Sequence, residues 1–248
     1  MRALINSVKD ASLQCTRASC NRTFLDHTVS DPTCQRIASH MMHMTPEQLG
    51  VDGPNDPYHF QGNLNRVTIT GENSEDYRLV LFFIKKGTRM PLHDHPNMSV
   101  FFRLVFGQLK YRAYDKLDSK FQYNDFVEDE YEELLHSKKR ILARKSRLMT
   151  LREDDLLFVR PSRNNMHEFV AEENSCFFDI CLPNYTPANS SRRITYFKEE
   201  PLDKQRPCEA GSASKLKGGL TELVYDTTPP VMPVDFHVHD LDYRGCYQ

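Results

Sequence analysis

Gly87-Thr88-Arg89-Met90-Pro91-Leu92-His93-Asp94-His95-Pro96 holds two histidines separated by a single residue. On an extended strand, residues two apart point to the same face, so His93 and His95 converge on one point inside a barrel. Two neutral imidazoles at that spacing make half of a site for a divalent metal. An HxH pair by itself is more often a pair of surface or core histidines, so its surroundings decide its meaning.

Those surroundings are strand-like in both directions. Upstream, Val67–Thr70 reads as a short strand, Gly71–Ser74 as a turn, and Tyr77–Ile84 as an apolar run ended by Lys85-Lys86-Gly87. Downstream come Ser99–Phe106, a glycine at 107, and Leu109–Tyr114, which alternates apolar and charged residues with the two-residue period of a half-buried strand. Further strands are expected at Leu148–Leu151, Leu156–Val159, His167–Val170, Cys176–Leu182, Leu220–Tyr225 and Val231–Phe236. Many short strands with turns between them indicate a mainly β chain, folded as a sandwich or small barrel. Asp115–Arg147 is a charged, polar insertion with a helix expected around Glu128–Leu142, and Pro201–Leu220 reads as a loop. Residues 1–62 form a helical or irregular extension. Within it, Thr45-Pro46-Glu47-Gln48-Leu49 has the signature of a helix start, with Thr45 as N-cap, Pro46 at the first position and Gln48 closing a capping box. The expected division is therefore an extension over 1–62, a barrel over 63–200 and a C-terminal segment over 201–248 packed on it. No internal repeat suggests a solenoid.

Composition narrows the partners. A chain of 248 residues can bury one good core. A net charge of -2 gives no reason to expect nucleic acid or an acidic membrane. No stretch approaches the roughly 20 apolar residues of a membrane span, and Met1–Leu13 lacks the apolar core of a secretory signal. Seven cysteines, an odd number at irregular spacing with no CxxC pair, fit free thiols in a reducing compartment. A cytoplasmic monomer is expected, with the nucleus a second location.

Gly87 lies six positions before His93, and Gly107 follows the next strand, a layout that resembles the first cupin motif. That motif usually carries a glutamate, and the position that would hold it by count is Val100. Pro161-Ser162-Arg163-Asn164-Asn165-Met166-His167 resembles the second motif with its spacing one residue longer. The implied ligand set is three histidines, His93, His95 and His167, with no carboxylate. Three neutral ligands leave the full charge on a divalent ion, which favours capture of an anionic thiolate and leaves positions open for dioxygen.

The chain as a whole resembles the cysteamine dioxygenases and plant cysteine oxidases. The resemblance rests on Pro91-Leu92-His93-Asp94-His95-Pro96, Val105-Phe106-Gly107, Asp115-Lys116-Leu117-Asp118, Pro161…Asn165-Met166-His167, Phe178-Asp179-Ile180…Pro183-Asn184-Tyr185 and Asp235-Phe236…Tyr243-Arg244-Gly245. Met44-Thr45-Pro46-Glu47-Gln48-Leu49 resembles the family's helix ahead of the barrel, so coverage runs from about residue 40 to the end. The resemblance implies a cupin barrel (a jelly-roll-like, double-stranded β-helix) with an N-terminal helical extension. It implies Fe(II) on the three histidines and conversion of a thiol to a sulfinic acid with dioxygen. The implied substrates are cysteamine or an N-terminal cysteine of a peptide or protein, the latter reaction serving as an oxygen sensor in N-degron-directed degradation. Asp179 and Tyr185 match an acid and a tyrosine near the family's active site. Asn97 stands where glycine is usual, and the 115–147 insertion is long; both bear on substrate preference.

Other readings stand beside these. Asp179 could be a hydrogen-bonded structural carboxylate, although a buried carboxylate is rare unless paired. Tyr185 could simply pack, and Cys176 and Cys181 read as core residues. Arg103 could face a substrate carboxylate. His237-Val238-His239 is a second HxH without a third histidine after it, at positions that are not ligands in the family. His27, His40, His43, His59 and His136 carry no pattern. Two rival functions are a dioxygenase for small thiols only and a non-catalytic metal-binding cupin holding zinc or nickel.

Overall fold

Both faces of the central strands are apolar, and the fold covers both. The computed structural model describes residues 1–19, 31–71, 74–96, 98–117, 140–161, 163–185, 194–201, 219–225 and 238–245. Three helices come first: α1 (Arg2–Ser19), α2 (Asp31–His43) and α3 (Pro46–Leu49). The strands follow: β1 (Leu64–Thr70), β2 (Arg78–Ile84), β3 (Arg89–Asp94), β4 (Ser99–Phe106), β5 (Gln108–Lys116), β6 (Arg140–Lys145) and β7 (Met149–Arg152). Then come β8 (Leu156–Val159), β9 (Met166–Ala171), β10 (Ser175–Leu182), β11 (Phe197–Glu200), β12 (Gly219–Tyr225) and β13 (Val238–Leu241).

One sheet runs β13-β1-β2-β10-β4-β8 and the other β11-β12-β6-β5-β9-β3, with β7 also paired to β5. Taking β2, β3, β4, β5, β7, β8, β9 and β10 as eight successive strands, the first sheet has the order first-eighth-third-sixth and the second the order second-seventh-fourth-fifth. All these pairings are antiparallel. That is the jelly-roll order, so the expected cupin barrel with its helical extension is present. Its interior is packed by Met90, Phe102, Leu104, Leu109, Phe169 and Phe177, among others. On the outer face of the first sheet, Leu4, Val8 and Ala11 of α1 and Ile37 and Met41 of α2 pack against Leu81, Phe83, Phe178 and Ile180. The helical residues recur at three- and four-residue spacing and form one apolar stripe. Every residue of β10 is buried because one face looks into the barrel and the other lies under the helices.

The second sheet continues past the jelly roll. Its strands β6, β12 and β11 curl back until the approach to β11 meets β3, where the Asp94 N–H donates to the Thr195 carbonyl at 3.1 Å and His93 bridges Tyr196. The strands β3, β9, β5, β6, β12 and β11 thereby ring a small second core. Each supplies at least one of its members: Leu92, Met166, Tyr114, Ile141 and Ala143, Leu223 and Phe197.

Local chemistry explains the boundaries. Thr45 caps α3 as expected: its hydroxyl accepts the Gln48 N–H at 3.3 Å, the Gln48 side chain accepts the Thr45 N–H at 3.1 Å, and Gly50 closes the helix at φ 71°. One expectation differs. Residues 140–142, read as the end of a helix, belong to strand β6, where Ile141 and Ala143 are buried in the second core; residues 118–139 lie outside the described residues. A strand at Val231–Phe236 also lies outside them, and the described C-terminal strand is Val238–Leu241, parallel to β1. The short strand β11 had no counterpart in the sequence reading.

Candidate metal centre

The metal strand contains a bulge. Met90 pairs with Phe169 and His93 with His167, so three steps on β3 oppose two on β9. Without that extra residue Met90 and His93 would point to opposite faces; with it both point into the barrel. Pro91 occupies the bulge, where its missing N–H leaves no ladder bond unmade. His95 follows one residue beyond the end of β3, on the same face as His93.

Three imidazoles meet there. The ring centroids of His93, His95 and His167 are 4.8 to 5.0 Å apart, and one ligand atom from each lies within 4.8 Å of the others. Each Nδ1 has a partner on the far side: the Pro91 carbonyl for His93 at 2.8 Å, the Tyr185 hydroxyl for His95 at 2.7 Å and the Asn164 carbonyl for His167 at 3.4 Å. A carbonyl can only accept, so His93 and His167 carry their protons on Nδ1 and present bare Nε2 atoms inward. The Nε2 atoms of His95 and His167 face each other at 3.2 Å. Burial lowers the pKa of His93 to about 4 against the pull of its bond to Pro91. Burial first, and the neighbouring imidazoles second, hold His95 and His167 well below the usual histidine range. All three are neutral at physiological pH. Buried neutral imidazoles with outward Nδ1–H groups and converging Nε2 lone pairs are the donor set of a first-row divalent cation, so the residues fit iron(II). The position of the missing glutamate is apolar: Val100 packs with Met98, Val159 and Cys181.

Residues around the ligands hold them in place. Tyr185 packs half-buried beside His95 and its hydroxyl also lies 2.7 Å from the Asp94 carbonyl, so it donates to Asp94 while accepting from His95 Nδ1–H. Asn165 clamps the His95 backbone, donating to the His95 carbonyl at 2.6 Å and accepting its N–H at 3.3 Å. Asp94, between the two ligands, faces the opposite way by strand alternation, and its carboxylate accepts the Thr195 N–H at 2.8 Å. Asp115 accepts the Asn164 N–H at 2.5 Å and pairs with Arg144 at 2.8 Å, which fixes the carbonyl that His167 uses. The roles of Asn165, Asp94 and Asp115 were missed in the sequence, although all three fall inside the motif blocks quoted above.

Asp179 faces the barrel interior, opposite to Phe178 as alternation requires. It pairs by register with Val80 and Phe102, and its Oδ1 has no hydrogen-bond partner among the described residues. Burial pushes its pKa well above the carboxylate range. The Tyr185 hydroxyl bonds to Asp94 and His95. Arg103 is not in the site: it points out of the barrel, donating to the Met41 and Met44 carbonyls at 2.5 and 2.7 Å and pairing with Asp154. His239 packs its ring against Gly62, where an added Cβ would come within 1.9 Å of it, and lies outside the histidine cluster; His237 and Asn97 fall outside the described residues. Cys176 and Cys181 are buried free thiols.

Comparison with known proteins agrees with the motifs. The chain is 30% identical over 149 residues to the 2-aminoethanethiol dioxygenase of Homo sapiens, covering 57% of this chain and 54% of the relative. It is 27% identical over 193 residues to plant cysteine oxidase 1 of Arabidopsis thaliana, covering 71% and 58%. The chain thus spans a little over half the length of these curated relatives. Among solved structures, KdgF from Halomonas sp. matches at 15% identity and a TM-score of 0.33 over 49% of this chain and 80% of that one. The family model PCO_ADO matches residues 24–247, nearly the whole chain, and the chain belongs to that family.

Proposed function

We propose that the chain is an iron(II)-dependent thiol dioxygenase that converts a thiol to a sulfinic acid. One thiol and one dioxygen give one sulfinic acid: the O–O bond breaks, two S–O bonds form, and sulfur supplies all four electrons, so no further reductant is needed. The observation that carries the reading is the buried set of three neutral imidazoles with inward Nε2 atoms and no carboxylate beside them. Iron(II) held by His93, His95 and His167 supplies a thiolate-binding Lewis acid and the redox capacity to engage dioxygen.

The protein's own groups prepare that chemistry. Tyr185 and Asn165 fix the ring and backbone of His95, and Pro91 and Asn164 fix the tautomers of His93 and His167. Val100, Met98, Val159 and Cys181 keep water from one side. Burial raises the Asp179 pKa well above the usual carboxylate range, so its charged form calls for a cationic partner. A substrate ammonium entering beside it supplies that partner and orients the thiol that neighbours the amine.

Cysteine at a peptide N-terminus is the substrate this reading favours, since amine and thiol reach the centre while the rest extends outward. Names of relatives support a cysteine or 2-aminoethanethiol (cysteamine) thiol as the group oxidised. Oxygen sensing through N-degron-directed degradation, as a monomer of the cytoplasm or nucleus, belongs to the same reading. Among the described residues no helix is long and apolar enough to cross a membrane. The test is anaerobic loading with iron(II), admission of air, and mass spectrometry of a Cys-initiated peptide, cysteamine and free cysteine. Addition of two oxygen atoms to the peptide, much reduced when its amine is acetylated, is expected. Stoichiometric zinc or nickel with no oxygenation of any thiol would favour a non-catalytic cupin instead.

A further inference from the structure

Tyr111 is a buried phenol for which the fold alone gives no reason. It lies on β5 facing the barrel interior, opposite Phe169 in the register, and is 2% exposed. Its ring centroid is 5.3 Å from that of Phe169 and 5.6 Å from that of His167. The next inward residue along β5 is Ala113, which pairs with His167, and its small side chain leaves room for the tyrosine ring beside the histidine. The hydroxyl has no hydrogen-bond partner among the described residues. A buried hydroxyl left unpaired is destabilising, and phenylalanine would fill the same space without that penalty. Burial also raises its pKa, so the group is a phenol and not a phenolate, able to donate.

Among the described residues, Oδ1 of Asp179 is a further buried polar atom of the jelly-roll interior with no hydrogen-bond partner. It comes from the first sheet and Tyr111 from the second, so the facing walls of the barrel that holds the three histidines each present an unsatisfied polar group. A site that takes a small polar molecule explains both atoms; a core does not.

We propose that Tyr111 is a ligand-contacting residue whose hydroxyl donates a hydrogen bond to an acceptor atom of the thiol substrate at the three-histidine centre. The acceptor is the thiolate sulfur or, in a peptide, the carbonyl oxygen next to the amine. This rests on the metal-centre reading above. Tyr111→Phe removes the hydroxyl and keeps the ring, so folding is not at risk. The full chain is loaded with cobalt(II) as a redox-silent probe, and the dissociation constants of cobalt(II), cysteamine and a Cys-initiated peptide are read anaerobically from the cobalt absorption bands. Unchanged cobalt(II) affinity is expected, with peptide binding weakened about tenfold, the loss of one hydrogen bond to a charged or strongly polar acceptor. Equal weakening of cysteamine assigns the bond to sulfur, and weakening of the peptide alone assigns it to the carbonyl. Unchanged binding of both thiols, with melting temperature equal or higher, would overturn the proposal, because the hydroxyl would then be an orphan. Weaker cobalt(II) binding would overturn it too, making Tyr111 a support for His167. Failure of the wild-type chain to bind cobalt(II) would defeat the metal-centre reading itself.

Discussion

A hydroxyl 2.7 Å from an imidazole nitrogen decides how His95 presents itself to a metal. Tyr185→Phe leaves His95 Nδ1 buried without that partner and frees the ring to choose either tautomer. Metal affinity is expected to fall on the order of tenfold to a hundredfold, as for other outer partners of ligating histidines, with the fold retained. Titration of Tyr185→Phe with cobalt(II) checks this. Asp179 gives two expectations. In the metal-loaded enzyme, Asp179→Asn is expected to lower kcat/KM for amine-bearing thiols at least about tenfold, roughly 1.4 kcal/mol of transition-state stabilisation. In the metal-free protein its folded pKa is raised by burial, so its contribution to stability is present below the ordinary carboxylate range and is lost as pH rises through the folded value. The asparagine variant lacks this term, so its melting temperature relative to wild type should climb as pH rises from that range toward neutrality. A constant difference across pH would show that the carboxyl is ionised in the fold. The position of Asp179 in an apolar run was legible because a lone acid breaks the pattern of Phe177-Phe178-Asp179-Ile180-Cys181. The partners of Tyr185 were not, because they lie 90 and 91 residues away in the chain.

At the scale of elements, β4 carries interior Phe102 and, one residue on, Arg103 under the helices. The Arg103 guanidinium donates to the carbonyls of Met41, in the last turn of α2, and Met44, just past its end, and joins the helical extension to the barrel. Arg103→Met keeps the aliphatic stem but removes the guanidinium donor from both carbonyls, leaving the Met41 carbonyl the Met44 N–H. A loss of stability on the order of 2–4 kcal/mol is expected, with metal affinity unchanged. Denaturant unfolding and cobalt(II) titration of the same variant separate the two effects. Asp94→Ala acts on another element boundary: it removes the acceptor for the Thr195 N–H and loosens the closure of the small ring on β3. Lower metal affinity is expected, with partial recovery in Asp94→Asn, which keeps an acceptor oxygen. Strands with clean alternation or apolar runs were legible to within a few residues. Strand β6 was not, because Lys138-Lys139-Arg140 and Arg144-Lys145 flank only two buried positions and imitate a charged helix. The bulge at Pro91 was hidden for another reason: it is visible only in the register with β9, which no local pattern encodes.

Across the whole molecule, β3 is shared by two closed cores. Its inward His93 serves the jelly roll while Leu92 serves the small ring. The C-terminal segment fastens the entrance of the chain to this body: Tyr243 donates to the Gln48 carbonyl at 2.8 Å, Arg244 lies 3.3 Å from the centroid of the Tyr58 ring, and Gly245 abuts Gly50. Tyr243, Arg244 and Gly245 of the C-terminal motif therefore serve packing, as does His239 against Gly62. Replacement of His237 and His239 together by alanine is expected to leave metal content and turnover near normal, which metal analysis of the purified variant checks. The cupin order and the histidine triad were legible because both follow from short motifs. The small ring was not, since it is built by strands on both sides of masking charge and loop sequence. The measurement that tests the central claim most directly follows isotopically labelled dioxygen over the iron(II)-loaded chain and a Cys-initiated peptide. Two labelled oxygen atoms on the cysteine sulfur with wild type, and none with His167→Ala, is the expected result. An unmodified peptide over fully iron-loaded wild type, or equal labelling by His167→Ala, would contradict it.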